Sequence, residues 1–288
     1  MSKKTMVITG ASNGIGLVTA KEVAKSGART ILVCRSKERG EASRESVIAE
    51  SQNTDVHLFL ADLGEMKSIR KVADEILADN EEIHVLVNNA GAINTEHKRT
   101  KEGYELTFAA NHLGYYYMTQ CLLERLKTSG KPSSKARIVN VASDAHRTGK
   151  IDLEDPMFEK KAYSGWVAYS QSKLANILFT LAQSKRLEGT NVTANSLHPG
   201  VVYSGFAQNN SGLLKAVYSV FGPLFMISNE KGAQTQIHLA LSPEVEGVTG
   251  KYFQKSKEKL PRRAAQNAEL AEKLWALTES LVARAVAG

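Results

Sequence analysis

The chain predicts an α/β architecture, with one doubly wound parallel sheet and helices on both faces. Three observations carry that prediction. Short apolar runs alternate with helix-like periodicity from the first residues onward. The runs lack the polar alternation of a half-solvated strand, as strands covered on both faces require. A glycine cluster follows the first run directly. Parallel strands joined in this way take right-handed crossovers.

The elements follow in order. Thr5 to Thr9 is a first strand that ends in glycine, residues 15–26 form a helix, and Gly27 closes it as a C-cap. Thr30 to Val33 is a second strand, 37–51 a polar helix, Val56 to Leu60 a third strand and 65–79 a third helix. Ile83 to Val87 is a fourth strand, 101–127 a long helix, and Ala136 to Val141 a fifth strand. A second long helix over 163–187, a sixth strand from Val192 to Leu197 and a final helix over about 264–285 complete the pattern. Loops 144–162 and 203–229 are longer than the scaffold needs. With 288 residues, no internal repeat and no low-complexity linker, residues 1–288 are expected to form a single domain.

Composition removes several classes. A hydrophobic share of 42% excludes disorder. Cys34 and Cys121, both in apolar contexts, make neither a disulfide framework nor a metal cluster, so no metal is expected and a reducing compartment fits. No signal peptide and no unbroken apolar stretch of bilayer-spanning length is visible, so a cytoplasmic protein is expected. The formal charge is +7, with a local excess at Lys251, Lys255, Lys257, Lys259, Arg262 and Arg263. That run reads as a solvated face, with contact to a membrane surface or an anionic partner as the other reading. It lacks the aromatic interleaving or zinc spacing of nucleic-acid binders.

The glycine cluster is Thr9-Gly10-Ala11-Ser12-Asn13-Gly14-Ile15-Gly16. Gly10 allows a tight turn, Gly14 lets backbone approach a pyrophosphate, and Gly16 lets the helix pack on the sheet. Ser12, Asn13, Gly14, Ile15 and Gly16 would meet the phosphates at a helix N-terminus, whose free N–H groups and positive dipole end attract anions. Strand before and helix after make this a Rossmann-type dinucleotide site. An NAD site usually carries a carboxylate at the end of the second strand; here Cys34-Arg35-Ser36 stands instead. An arginine pairs with a 2′-phosphate that a carboxylate would repel. NADP(H) is therefore expected over NAD(H), with Arg35 as determinant and Ser36 or Lys37 as helper. Asp62 and Leu63 end the third strand; Asp62 would accept from the adenine amino group. Asn89, Ala90 and Gly91 end the fourth, where small residues leave room for adenosine.

Tyr169 and Lys173 lie four residues apart on one predicted helix, so both side chains share a face. A tyrosine phenol is a poor base at neutral pH. A lysine cation and the positive ring of an oxidised nicotinamide would make it a better one, able to exchange a proton with a carbonyl or hydroxyl oxygen. Ser143 follows the fifth strand, where its hydroxyl would hydrogen-bond the substrate oxygen. Asn111, close to Gly114 inside the predicted helix 101–127, is poor for helix propensity and points to a local irregularity, such as one holding a water near the lysine.

These residues, with Pro199-Gly200, run in the order seen in the short-chain dehydrogenase/reductase family, which the chain resembles over roughly its first two hundred residues. The resemblance implies Tyr169 as general acid/base, Lys173 on the nicotinamide ribose and the tyrosine, Ser143 on the substrate oxygen and Asn111 on a proton-relay water. It also implies that Pro199, Gly200, Val201, Val202 and Ser204 flank the nicotinamide; the family more often has threonine where Ser204 stands. Cys34-Arg35, Asn111-His112-Leu113-Gly114, Ser143-Asp144-Ala145-His146, His198-Pro199-Gly200 and Lys273-Leu274-Trp275 are similar to the retinol dehydrogenase branch. That branch includes WW-domain oxidoreductases and is similar to the protochlorophyllide reductases. Tyr115-Tyr116-Tyr117 stands where it more usually has histidine and phenylalanine.

The expected activity is hydride transfer between NADP(H) and a carbonyl or alcohol, on a hydrophobic aldehyde, ketone or retinal-like substrate. Residues 213–227 are apolar but interrupted; within 203–229 they would form a substrate lid, a membrane contact, or plain packing and an oligomer contact. His146 and His198 read as supporting residues. The alternatives are an NADP(H)-binding scaffold with little turnover, and a light-driven double-bond reductase, against which Ser143 argues. The long helices commonly pair in the family, which implies a homodimer or homotetramer.

Overall fold

The computed structural model describes residues 3–200 and 227–287. Its sheet holds β1 (Thr5–Thr9), β2 (Arg29–Cys34), β3 (Val56–Leu60), β4 (Val85–Asn88), β5 (Ala136–Val141), β6 (Val192–His198), β7 (Tyr252–Gln254) and β8 (Lys257–Lys259). Their spatial order is β3-β2-β1-β4-β5-β6-β7-β8. All pairings are parallel except the last. The order reverses between β1 and β4, which opens a crevice at the carboxyl ends of those strands.

Along β1 the side chains alternate between two cores. Val7 joins Ile69, Leu86, Leu122 and Leu178 on one face, while Met6 and Ile8 join Val23, Leu32, Val47 and Leu239 on the other. The helices α1 (Gly14–Lys25), α2 (Lys37–Ser51) and α3 (Met66–Asp79) lie close to where periodicity places them. Gly27, at φ 81, takes the left-handed conformation expected after α1.

The predicted helix over 101–127 is different. It begins later, as α4 (Leu106–Phe108), passes through a π-helical turn (Ala109–Leu113) and continues as α5 (Gly114–Ser129). The late start has a local cause: the buried Glu105 carboxylate accepts from the backbone N–H groups of Thr107 and Phe108 and caps the helix there. The irregularity expected at Asn111 is the π turn. The helix α6 (Gly165–Arg186) is nearly as expected.

Three elements were not foreseen. After 203–226, which lie outside the described residues, Ser228 caps α7 (Asn229–Leu241). The strands β7 and β8 then form a hairpin, whose turn residues Lys255 and Ser256 have φ 52 and 57. The type I′ geometry usually shows itself as Asn-Gly or Asp-Gly; Lys-Ser conceals it, and the exposed Lys257–Lys259 lacks strand patterning. Part of the basic run is thus a solvated edge strand.

The last helix, α8 (Ala268–Ala287), follows a short 3-10 turn and lies across α6. Trp275 stacks on Phe179 at 5.6 Å between centroids, Tyr116 meets both edge-on, and the Arg186 guanidinium sits 4.1 Å over the indole. The face of α6 around Phe179 is therefore covered within the chain. Among the described residues no helix is long and apolar enough to cross a membrane, and no cluster of metal-ligating side chains occurs. Cys34 and Cys121 are unpaired, and burial pushes both thiols up, Cys34 to about 11.

Candidate active site

A cavity of about 540 Å³ opens at the crevice. One end is the glycine loop. Gly10 has φ 67, and a Cβ there would lie 2.7 Å from the Ala90 Cα. A Cβ on Gly16 would overlap the Gly10 carbonyl oxygen and Asn89 Nδ2. The loop is clipped to β4 from beneath: Asn89 Nδ2 donates to the carbonyls of Thr9 and Gly10, and Thr9 Oγ1 accepts from the N–H groups of Asn89 and Ala90. Asn13 starts α1 without a side-chain cap, and the first turn holds no acidic residue. Its free N–H groups and positive dipole end are thus left for an anion. Closely packed glycines around an uncapped helix start fit a dinucleotide.

Ser12, Asn13, Gly14, Ile15 and Gly16 line this end, and Asp62, Leu63, Asn89, Ala90 and Gly91 continue it. Asp62 Oδ1 accepts from the Gly64 N–H at 2.9 Å. Arg35 lines the rim with a side chain 60% exposed, 3.9 Å from Asp62. Ser36 does not reach the cavity; its hydroxyl caps α2, accepting from the Arg39 N–H. Arg39 lines the cavity instead. Sequence reading missed it, although its place one turn into α2 was a usable signal.

The other end is built from β5, β6 and α6. Ser143, Tyr169, Lys173, His198, Pro199 and Gly200 all border the cavity. The Ser143 hydroxyl accepts from the Ala145 N–H, which keeps the turn after β5 closed. Lys173 is buried, donates to the Val141 carbonyl at 3.0 Å, and places its Nζ 5.6 Å from the Tyr169 ring centroid. Burial alone pushes this lysine down to about 7. Asn111 is fully buried behind the wall. Its Oδ1 accepts from the Ala92 N–H, and its Nδ2 donates to the Ala92 carbonyl and to Ser172 Oγ. It ties the π turn to the loop after β4 and to α6. Val202 and Ser204 lie outside the described residues.

The histidines are supports. His146 Nδ1 sits 2.7 Å from the Ser143 carbonyl, and its Nε2 accepts from the Arg262 N–H. A neutral ring protonated at Nδ1 satisfies both, and burial holds it below the ordinary histidine value. His198 Nδ1 accepts from the Asp144 N–H. Trp166, another residue missed from sequence, is 52% exposed at the cavity edge, its ring 6.1 Å from that of Tyr169.

Chemically, this arrangement can seat a dinucleotide along one wall and bring a phenol, an ammonium and a hydroxyl to its far end. The family pattern described as short chain dehydrogenase matches residues 4–212. Retinol dehydrogenase 12 of Mus musculus is 43% identical over 272 residues, 94% of this chain and 84% of that protein. Retinol dehydrogenase 13 of Homo sapiens is 40% identical over 284 residues, 97% and 84% of the two chains. A crystal structure described as a putative uncharacterized protein from Mycobacterium Paratuberculosis superposes with a TM-score of 0.78 at 32% identity, covering 97% of this chain and 93% of that one.

Proposed function

The chain belongs to the short-chain dehydrogenase family, and within it we propose an NADP(H)-dependent oxidoreductase that interconverts a carbonyl and its alcohol on a hydrophobic substrate. The observation that carries this reading is Tyr169 and Lys173 side by side on α6, bordering the same cavity as Ser143 and the glycine loop. When bound, the nicotinamide supplies or accepts the hydride. Tyr169 exchanges a proton with the substrate oxygen, and the nearby Lys173 charge favours its phenolate. Ser143 donates to that oxygen as negative charge develops. Asn111, held at three points, keeps the loop after β4 and α6 in register.

For the cofactor, Arg35 and Arg39 at the rim and the lack of a carboxylate at the end of β2 support NADP(H). Similarity to retinol dehydrogenases and the exposed indole of Trp166 support a retinal-like or other apolar aldehyde or ketone. In this reading residues 1–288 act as one domain; the expected lid over 203–229 falls mostly outside the described residues. The unpaired thiols of buried Cys34 and half-buried Cys121 support a reducing compartment. Pairing of copies would use parts of α5 and α6 that α8 leaves uncovered.

The test is consumption of NADPH against NADH with a panel of hydrophobic aldehydes and ketones that includes retinal. Wild-type protein is expected to prefer NADPH. Arg35→Asp is expected to move that preference toward NADH by roughly 10–100-fold, the worth of a charge-assisted contact. Protein that does not bind NADPH overturns the reading.

A further inference from the structure

Lys173 has a second aromatic neighbour. Its Nζ lies over the ring of Tyr115 at 5.7 Å from the centroid, almost the same distance as from Tyr169. Tyr115 is the second residue of α5, two beyond the end of the π turn, and is completely buried. Its hydroxyl has no hydrogen-bond partner among the described residues. A buried phenol with an unpaired hydroxyl carries a desolvation cost without a compensating bond. The ring, not the hydroxyl, is therefore the part that meets a neighbour of consequence.

The surroundings of Lys173 make that contact matter. From β5 it receives the Val141 carbonyl, from α6 the ring of Tyr169 and from α5 the ring of Tyr115, and in the loop after β4 a Cβ on Gly91 would lie 3.4 Å from its Nζ. Asn111, the polar side chain near Gly91, is a neutral amide. No carboxylate among the described residues pairs with this lysine, and burial is the cause that acts on its proton affinity. An ammonium only 3% exposed at the cavity wall, with no carboxylate partner among the described residues, has the Val141 carbonyl and two aromatic faces to favour its charge. A desolvated cation over an aromatic face is held more strongly than an exposed one.

We propose that Tyr115 is a positioning residue whose ring face keeps Lys173 charged and in place beside Tyr169. The inference rests on the reading of Tyr169 and Lys173 as the reacting pair. It assigns a role to the first of the three tyrosines that follow Gly114.

The experiment titrates Lys173 directly, by carbon NMR of protein carrying 13Cε-lysine and no cofactor, with Lys173→Met to assign the signal. Wild type, Tyr115→Phe and Tyr115→Leu are compared, after thermal unfolding has shown all three folded. Tyr115→Phe is expected to titrate as wild type, because the ring remains, and to unfold at a slightly higher temperature, because the unpaired hydroxyl is gone. Tyr115→Leu is expected to titrate about one pH unit lower. Alcohol oxidation by Tyr115→Leu should then show its rising limb at higher pH, since a neutral lysine no longer favours the Tyr169 phenolate, while Tyr115→Phe keeps the wild-type limb. Equal midpoints in all three proteins, or a fall in Tyr115→Phe as large as in Tyr115→Leu, overturn the proposal. Wild-type protein without turnover whose lysine midpoint still falls in Tyr115→Leu would sink the functional reading and leave the role of Tyr115 standing.

Discussion

The glycine-loop end of the cavity and the Tyr169–Lys173 end are held by different forces. At the loop, shape comes from absent side chains: a Cβ on Gly16 would overlap the Gly10 carbonyl oxygen, and one on Gly10 would crowd Ala90. Around Tyr169 and Lys173, shape comes from buried polar groups on separate elements, with Asn111 bound to Ala92 and Ser172 and Lys173 bound to the Val141 carbonyl. Steric exclusion tolerates little relaxation, because the obstructing atoms are backbone. Polar contacts can be exchanged singly, and each exchange changes a charge or a proton. The loop should therefore fail as a binding surface, and the far end as chemistry.

Replacing Tyr169 by Phe gives the largest effect. Loss of a positioned acid/base is expected to lower kcat by about 10²–10⁴-fold, with NADPH affinity by fluorescence titration close to wild type. A variant that keeps its turnover would break the comparison at its chemical end. Gly16→Ala should act the other way. It is expected to weaken NADPH binding at least about tenfold and to cost about 1–3 kcal/mol of stability through overpacking, measured by the same titration and by denaturant unfolding. Unchanged affinity would show that α1 shifts to make room.

The smallest effect is one of pH. His112, in the π turn, is buried, with Nε2 2.8 Å from Thr278 Oγ1 of α8, and burial pushes it from 6.5 down to about 4. Between those values the unfolded chain binds more protons than the folded one, so stability falls as pH is lowered through that window. From about pH 6.5 to about pH 5.5 the loss through His112 should be about 1 kcal/mol. His84, His146 and His198, also held low by burial, act in the same direction. Thermal unfolding of His112→Gln against pH is expected to be flatter than wild type. Equal slopes would mean that His112 takes up its proton as readily in the folded chain as in the unfolded one.

The legibility of the two ends differed for the same physical reason. Gly10, Gly14 and Gly16 announce themselves along the chain, since a strained turn and a close approach are local demands. The Tyr169–Lys173 spacing is also local, one turn of helix. Asn111 showed only that something irregular was needed at that point; its partners Ala92 and Ser172 came from the folded structure. Arg39 went unread because α2 looked like an ordinary polar helix, β7 and β8 because their segments are only three residues long, and α7 because the face it buries is largely small and polar, with Gly232, Ala233, Thr235 and Gln236, and shows no apolar stripe.

Read along the chain alone, the six parallel strands are placed to within a few residues, and the glycine loop after β1, the arginine after β2 and the Tyr–Lys spacing are visible. All of these depend on neighbours a few positions apart. Only the folded chain shows that Glu105 delays a helix, that His146 joins the Ser143 turn to Arg262, that α8 covers α6, and that Tyr115 meets Lys173. Periodicity reports that a side chain is buried; what it is buried against is settled only when distant elements come together around the sheet.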